Sequence, residues 1–470
     1  MRVFKLKMAM LAVVLLPVLA PMPAVADTIF DAMAKAYENN PDLNAARAGL
    51  RATDEGVTIA KAGWRPQVNA FAQRTTTWYD NKGAFSGTQT IDNPNGIDRM
   101  STISHQRGLT ITQQIFDGFQ TLNNVRAAEA TVFSERASVR AKEIQILLSA
   151  VEAYSNIARD QQILAYRRQN VAFQKEQIRA AKERLAVGEG TRTDVSLAEA
   201  ELARALALVA SADSQLKQSQ AVYVQIVGDP PKGVKQARPV SKSLPKTIDN
   251  AVATGWREHP RVLATMHAVD AAGFEVKSAE GAMLPGVVVQ GQIQSTEGTQ
   301  GLSSLSNYNS QSITARLNVP IYQGGAEYGQ IRQAKERLGQ QRILLDSVRL
   351  DVQQTVVTAM AQYEAALAAT KAGALQVKAS NDALASITEE RRFGQATTLE
   401  VLQVQSNVLN ARENLAVAQR DAVVSSFAIL ASIGRLTVAT QDLKVAEYRP
   451  EVHYEKVKDA WLGLRTVDGR

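Results

Sequence analysis

Two stretches of the chain alternate apolar with polar side chains, which is the period of a β-strand with one apolar face. In the stretch 107–116, the apolar positions are Leu109, Ile111 and Ile115. The second stretch is more regular, and its apolar positions are Ile313, Ala315, Leu317, Val319 and Ile321. We interpret both stretches as strands.

Each of these strands follows a segment rich in Gly, Ser, Asn and Asp, 80–100 or 297–310, of the kind typical of loops. A further alternating stretch, 67–79, precedes the first loop. The pattern therefore predicts one β-hairpin in each half of the chain, over about 67–116 and about 286–322. A β-hairpin has two strands, so the chain should contribute four.

Most of the remaining sequence has apolar residues at helical spacing, as at Leu147, Val151, Tyr154 and Ala158. No Gly or Pro occurs between Gly118 and Gly188, which predicts one helix over about 119–186, about 100 Å long at 1.5 Å per residue. A second long helix is predicted over about 325–392. Helices of this length need coiled-coil neighbours, and their many alanines allow close packing.

Short glycine-containing breaks at 187–191 and 393–397 separate each long helix from a return helix of about half its length. The return helices are predicted at about 192–226 and 398–433. An Ala-rich helix opens each half, at about 28–63 and 247–282.

The chain is an internal duplication with an offset of 219 residues near the start of each half and 206 residues later. Matches at the first offset include Pro41 with Pro260 and Pro66 with Pro285. Matches at the second include Gly118 with Gly324, Gly188 with Gly394 and Gly228 with Gly434. A repeat of this length is too long for a solenoid unit and indicates two similar halves of one object. We predict a first repeat at 27–228, a linker at 229–246, a second repeat at 247–434 and a tail at 435–470.

Residues 1–26 read as a secretory signal peptide: three basic residues, an apolar run over 8–20, and the small-x-small site Ala24-Val25-Ala26. The alternative, an uncleaved anchor, is disfavoured because the run is too short to span a bilayer. No apolar run of 18 or more residues follows, so any membrane span should be β. The chain has no cysteine, so neither a disulfide nor a lipid on cysteine is available.

Composition excludes several classes of function. Hydrophobic residues make up 45% of the 470 residues and charged residues 21%, as in folded proteins. The net charge of +7 falls to +4 without the three basic residues of the signal peptide, so no nucleic-acid partner is expected. No nucleotide-binding GxxxxGK[ST] or nucleophile GxSxG motif occurs, and the four histidines lack metal-ligand spacing. We expect no enzyme activity, no cofactor and no metal.

Four strands with one apolar face cannot close a barrel in lipid, where unpaired edge N–H and C=O groups cost several kcal/mol each. Other copies must complete the sheet, and three copies, with twelve strands, favour an open pore. Aromatic residues suited to the membrane interfaces are Trp78, Tyr79, Tyr308 and Tyr322. The alternatives are a soluble sandwich edge and a soluble periplasmic coiled-coil adaptor or structural protein.

The chain resembles the TolC family of outer-membrane export proteins over essentially its whole mature length. The motifs that carry the resemblance are Asn40-Pro41, Trp64-Arg65-Pro66, Ile115-Phe116-Asp117-Gly118, the segment from Val319 to Gly325, and the turns around Gly188 and Gly394. One departure is Gln114, which stands where the second half has Pro320, so the turn from strand to helix should differ between halves.

The resemblance implies a mostly α fold with a membrane β-barrel: a homotrimeric channel-tunnel with a twelve-stranded barrel in outer-membrane lipid. A coiled-coil helical tunnel would reach into the periplasm, with 229–246 and 435–470 around its middle. The implied partners are a periplasmic adaptor (membrane fusion) protein and an inner-membrane transporter, either ABC or proton-driven. The cargo would be proteins, by type I secretion, or drugs.

The resemblance also assigns roles to the helix turns. The adaptor-docking tips would be Val187, Gly188, Thr191, Phe393, Gly394 and Thr397, although plain helix C-cap glycines explain the two glycines equally well. The periplasmic aperture would involve Asp194 and Glu400, with Arg391 and Arg392 tethering the inner helices by ion pairs. A second acid of the family is missing at Gln403. The simpler reading is that these are solvated helix-end charges.

Overall fold

The computed structural model describes residues 27–80, 99–241, 243–300, 304–467 and 469. The predicted signal peptide, 1–26, and most of the predicted loop 80–100 lie outside the described residues. The described chain is mostly helical with one four-stranded sheet, which confirms the predicted fold class.

The first half contains α1 (Ile29–Asn39), α2 (Pro41–Lys61), a 3-10 turn (Ala62–Trp64), β1 (Gln67–Asp80), β2 (Arg99–Phe116), α3 (Gln120–Ala186) and α4 (Arg192–Val227). The second half contains α5 (Ile248–Glu258), α6 (Pro260–Gly281), β3 (Gly286–Gln300), β4 (Ser304–Asn318), α7 (Ala326–Arg392) and α8 (Thr398–Ser432). A short helix, α9 (Glu451–Val457), lies in the tail. The two halves repeat the same order: an offset of 219 residues carries α1 onto α5, and one of 206 carries α3 onto α7.

The prediction of single helices over 28–63 and 247–282 is wrong, because each is broken in the same place. Asn40 and His259 have extended backbones, with φ −64°, ψ 122° and φ −67°, ψ 125°. The proline that follows each of them disfavours the helical conformation of the preceding residue and is itself acceptable at a helix start. The side chains of Asn40 and His259 then cap the new helix by accepting backbone N–H groups.

The four strands form one antiparallel sheet in the order β1-β2-β3-β4. The predicted loop at 297–310 is wrong, because β3 continues to Gln300 and β4 begins at Ser304. The strand predicted at 107–116 also starts earlier, at Arg99. These strand residues are mostly polar, so the sequence pattern resembles a loop. They still form a strand because the hydrogen bonds between strands join backbone groups and do not depend on apolar side chains.

The strand registers sort the side chains onto two faces. One face is apolar near the helices, and its members include Val68, Ala70, Leu109, Ile111, Val287, Val289, Ala315 and Leu317. The other is polar and rich in glutamine and threonine, with Gln67, Thr110, Thr112, Gln290, Gln292, Gln294 and Thr314. On the polar face, the Gln292 amide donates to Gln294 Oε1 at 2.8 Å, and the Gln294 amide donates to Thr296 Oγ1 at 3.0 Å.

The turn from strand to helix differs between the halves. Strand β2 runs on through Gln114 to Phe116, with a register shift between them, whereas β4 stops at Asn318. Pro320 has no N–H to donate, so the second-half ladder cannot extend as far. In the first half, the Gln114 amide donates to Phe116 O at 2.7 Å across the bulge.

The largest core lies around the middle of α3, where α1, α4, α8 and the segments after α4 and α8 meet. Its biggest buried side chains are Tyr37, Tyr154, Tyr223 and Phe427. The Tyr154 hydroxyl is bonded to Lys235 O at 2.9 Å, which fixes the 229–246 segment against α3. Leu436 and Leu443 of the tail belong to the same core.

In the described part of the chain, one helix, α8, is long and apolar enough to span a membrane, with a mean hydropathy of 1.3 in its most apolar window. Because 67% of that window is buried inside the chain, α8 has the character of a core helix.

Candidate aperture and docking tips

The tip between α3 and α4 is a helix C-cap built on Gly188. Gly188 has φ +81°, a left-handed conformation that glycine adopts without the strain imposed by a Cβ. The Glu189 N–H donates to Arg184 O at 2.9 Å, and the Gly188 N–H donates to Leu185 O at 3.2 Å. This pair of bonds is the Schellman motif, which satisfies the last carbonyls of the helix.

The tip between α7 and α8 has the same construction. Gly394 has φ +76°, the Gln395 N–H donates to Glu390 O at 2.9 Å, and the Gly394 N–H donates to Arg391 O at 3.1 Å. A Cβ built on either glycine would meet nothing within 4 Å. Both glycines therefore serve the helix ends, as the simpler reading held, and their docking role stays a prediction.

Two exposed apolar side chains stand beside the capping glycines. Val187 is 71% exposed and Phe393 is 79% exposed, and they are related by the 206-residue offset. Large exposed side chains at equivalent places in both halves give each tip an apolar point for contact.

Each return helix begins with a reciprocal capping box that uses the carboxylate predicted for the aperture. Asp194 Oδ2 accepts from Thr191 Oγ1 at 2.6 Å and from Thr191 N at 3.2 Å. Glu400 Oε2 accepts from Thr397 N at 2.7 Å and from Thr397 Oγ1 at 2.9 Å. Such boxes satisfy N–H groups that a helix start leaves free.

These bonds favour the charged form of both acids. Hydrogen bonding from the Thr191 side chain lowers the pKa of Asp194, and the backbone N–H of Thr397 lowers the pKa of Glu400. Each acid therefore presents a fixed negative charge one turn inside its helix, and Glu400 is exposed.

Arg391 is the least exposed charged group at the tips, with 6% of its surface accessible. Its guanidinium donates to Gln177 Oε1 and so joins α7 to α3. Burial, and then the nearby Arg184, lower the pKa of Arg391, while Asp194 opposes them. Among the described residues, Nε and Nη2 of Arg391 have no hydrogen-bond partner.

Among the described residues of one chain, neither Arg391 nor Arg392 forms an ion pair with another helix, so tethering by ion pairs stays a prediction. Arg391 instead links α7 to α3 through the side-chain amide of Gln177. Arg392 pairs instead with Glu389 of its own helix, at 3.1 Å. Sequence reasoning missed Gln177. The position equivalent to Arg391 in the first half is Leu185, a break in the repeat that singles out Arg391 but does not identify its partner.

The described residues contain no group of three or more His, Asp or Glu side chains arranged to hold a metal ion.

The comparisons with known proteins agree with this architecture. The family model described as outer membrane efflux protein matches residues 32–229 and 257–435, one segment in each half. The chain belongs to the outer membrane efflux protein family. The resemblance to the TolC family is confirmed, and with it the outer-membrane location.

The chain is similar over most of its length to individual members of this family and to a solved channel structure. It is 41% identical to the outer membrane efflux protein BepC of Brucella suis biovar 1, over 96% of this chain and 95% of BepC. It is 22% identical to the outer membrane protein TolC of Escherichia coli, over 89% of this chain and 84% of TolC. The solved Campylobacter jejuni CmeC outer membrane channel superposes with a TM-score of 0.75 at 13% identity, over 92% of this chain and 89% of CmeC.

Proposed function

We propose that three copies of this chain form an outer-membrane channel, the passive exit duct of a tripartite export machine. The observation that carries the proposal is the open sheet. Within the part of the chain that the structure describes, strands β1 and β4 each have a neighbour on one side only, so both edges present unpaired N–H and C=O groups. In a membrane such edges must be paired, and the edges of identical copies are available to pair with each other.

The two faces of the sheet suit the wall of a water-filled barrel. The face that is apolar near the helices would meet lipid there, and farther along the strands it carries the Arg107–Glu297 ion pair at 2.6 Å. The Gln- and Thr-rich face would line the lumen. Most of the polar side chains on this second face are amides and hydroxyls, which hydrogen-bond water, and Arg316 is a charged member of it. Three copies give twelve strands, more than the eight that side chains can fill.

The paired helices would continue the duct into the periplasm. Helices α3 and α7, each 67 residues, are about 100 Å long at 1.5 Å per residue. Energy would come from an inner-membrane transporter, reached through a periplasmic adaptor that contacts the tips at Val187 and Phe393. The cargo would be a drug or a protein of type I secretion, chosen by the transporter.

The aperture would be built from the charges behind the tips. In a trimer, three copies of Glu400 and three of Asp194 would lie near the axis, where like charges repel unless cations or water screen them. Arg391 would hold α7 against α3 beside these acids. A ring of fixed carboxylates should bind multivalent cations and reduce the current.

Conductance of the purified protein in planar bilayers tests the proposal. We expect trimers in detergent and steady channels that multivalent cations block. Glu400→Gln should weaken the block about tenfold or more, because glutamine keeps the capping box while removing the charge. A monomeric protein with electrically silent bilayers would refute the channel, and an unchanged block in Glu400→Gln would refute the carboxylate ring alone.

A further inference from the structure

The C-terminal tail passes beside the start of the sheet. After α9, Asp459 pairs with Lys61 at 2.7 Å, and the Arg65 guanidinium donates to Ala460 O at 2.7 Å. The same guanidinium lies 4.8 Å from the centre of the Trp461 ring. Arg65 comes two residues before β1, so Trp461 is held at the level where the helices give way to strands.

Further bonds position the tail along α2 on its way to this point. Asp54 Oδ2 lies 2.8 Å from His453 Nδ1, and the Thr58 hydroxyl donates to Val457 O at 2.7 Å. Contacts at successive turns of α2, from Asp54 to Lys61, therefore carry the tail towards the sheet. The placement of Trp461 does not depend on one bond.

The segment delivered there is apolar and uncovered. Trp461 is 65% exposed, Leu462 is 97% exposed and Leu464 is fully exposed. Exposed basic residues, Lys456 and Arg465, stand on either side. Burying a leucine side chain is favourable by about 1.5–3 kcal/mol, so two exposed leucines and a tryptophan in four residues indicate an apolar partner.

Other exposed apolar side chains mark the same level of the molecule. They flank the helix-proximal ends of the strands and are Trp64, Ile115, Leu284, Ile321 and Tyr322. Directly above them begins the apolar face of the sheet, with Val68 and Leu317 exposed. These residues and the tail segment together form a band of exposed apolar side chains. The band borders the face of the sheet that is proposed to meet lipid.

We propose that Trp461–Leu464 is an interfacial anchor, which inserts its tryptophan and leucines into the phospholipid leaflet of the outer membrane that faces the periplasm. The inference rests on the proposed function, which places the helix-proximal end of the sheet at that leaflet. Tryptophan prefers the boundary between headgroups and acyl chains, and basic flanks are attracted to anionic headgroups. The anchor would fix the height of the duct relative to the bilayer.

Tryptophan fluorescence in bilayers of brominated phospholipid tests the anchor, because bromine on the acyl chains quenches only nearby indoles. The chain has four tryptophans, which allows three matched variants that each retain one and carry phenylalanine at the others. The variant with Trp461 reports the anchor. The variant with Trp78, on the outer face of β1, reports the barrel, and the variant with Trp256 is the periplasmic control because its indole N–H donates to Arg349 O.

We expect Trp461 and Trp78 to be quenched about twofold or more beyond Trp256. Leu462→Ser with Leu464→Ser should reduce the quenching of Trp461 and leave that of Trp78 unchanged. If Trp78 is quenched but Trp461 behaves as Trp256 does, the anchor is refuted and the channel stands, as when a neighbouring copy covers the tail. If Trp78 is not quenched either, the channel proposal itself fails. Electrophoresis of each variant checks that it still assembles.

Discussion

At the scale of single residues, the same few side chains serve both local structure and the proposed duct. Thr191 and Thr397 cap their helices and also donate hydrogen bonds to Asp194 and Glu400, the acids proposed for the aperture. The capping box that stabilises each helix start therefore also holds the negative charge in position. These motifs were readable from the sequence because threonine and an acid recur three residues apart just after a glycine. The role of Gln177 could not be predicted from the sequence, because its contact with Arg391 spans 214 positions and depends on how α3 and α7 pack.

Glu258 offers a residue-scale prediction about pH. Its carboxylate accepts two bonds from Arg435, at 2.8 and 3.0 Å, and so ties the end of α5 to the start of the tail. The Arg435 guanidinium, and then Arg257, lower the pKa of Glu258 to about 2. A lowered pKa in the folded chain means that the bond stabilises the fold above the ordinary value of 4.5 and is lost as the pH falls towards 2.

Glu258→Gln should therefore loosen the start of the tail at neutral pH and have little effect near pH 2. Because the pair is well exposed, solvent screening limits the expected cost to about 1 kcal/mol or less. Amide hydrogen exchange over residues 435–443, corrected for the intrinsic rate at each pH, measures it. A difference from wild type that is the same at pH 7 and pH 2 would contradict the argument.

At the scale of elements, the sequence predicted the long helices and the return helices well but the connections less well. The long helices follow from the absence of Gly and Pro between Gly118 and Gly188, which is a local property. The helix breaks at Asn40 and His259 also depend on local sequence, because each is followed by a proline. The extent of β3 and β4 was not local, because polar strand residues pair through a backbone ladder that only the register reveals.

The junction between β2 and α3 gives a prediction at this scale. Gly118 has φ +67°, and a Cβ there would collide with the carbonyl oxygen of Gly281 at the end of α6. Gly118→Ala combines left-handed strain, about 1–2 kcal/mol, with overpacking, about 1–3 kcal/mol. We expect a marked loss of assembled protein in the outer membrane, measured as the yield of detergent-extracted trimer.

Gly188→Ala is the matched control for this junction. Gly188 has a similar φ of +81°, but a Cβ there would meet nothing within 4 Å. The control should therefore suffer only the backbone strain of about 1–2 kcal/mol. Equal yields from the two variants would show that the Gly118–Gly281 contact does not matter for assembly.

At the scale of the whole molecule, the duplication specifies how copies should meet. Within one chain, β2 of the first half pairs with β3 of the second, and Ile111 stands opposite Gly291. If the barrel is a ring of six similar halves, β4 of one copy pairs with β1 of the next in the same way. The 206-residue offset carries Ile111 onto Leu317, and the 219-residue offset carries Gly291 back onto Ala72. Leu317 should then stand opposite Ala72 of the next copy.

Cysteine cross-linking tests this register cleanly, because the natural chain contains no cysteine. Opposed residues on one face of an antiparallel pair have Cα atoms about 4.5–5.5 Å apart, within the span of a disulfide. Ala72→Cys with Leu317→Cys should therefore give covalent trimers under mild oxidation, seen by electrophoresis without reductant. Gln73→Cys with Leu317→Cys is the control, since Gln73 lies one position along β1 and points to the other face, where no disulfide can reach. Covalent trimers from the control pair alone would mean that the strands of neighbouring copies meet in a different register, and the six-half ring would have to be abandoned.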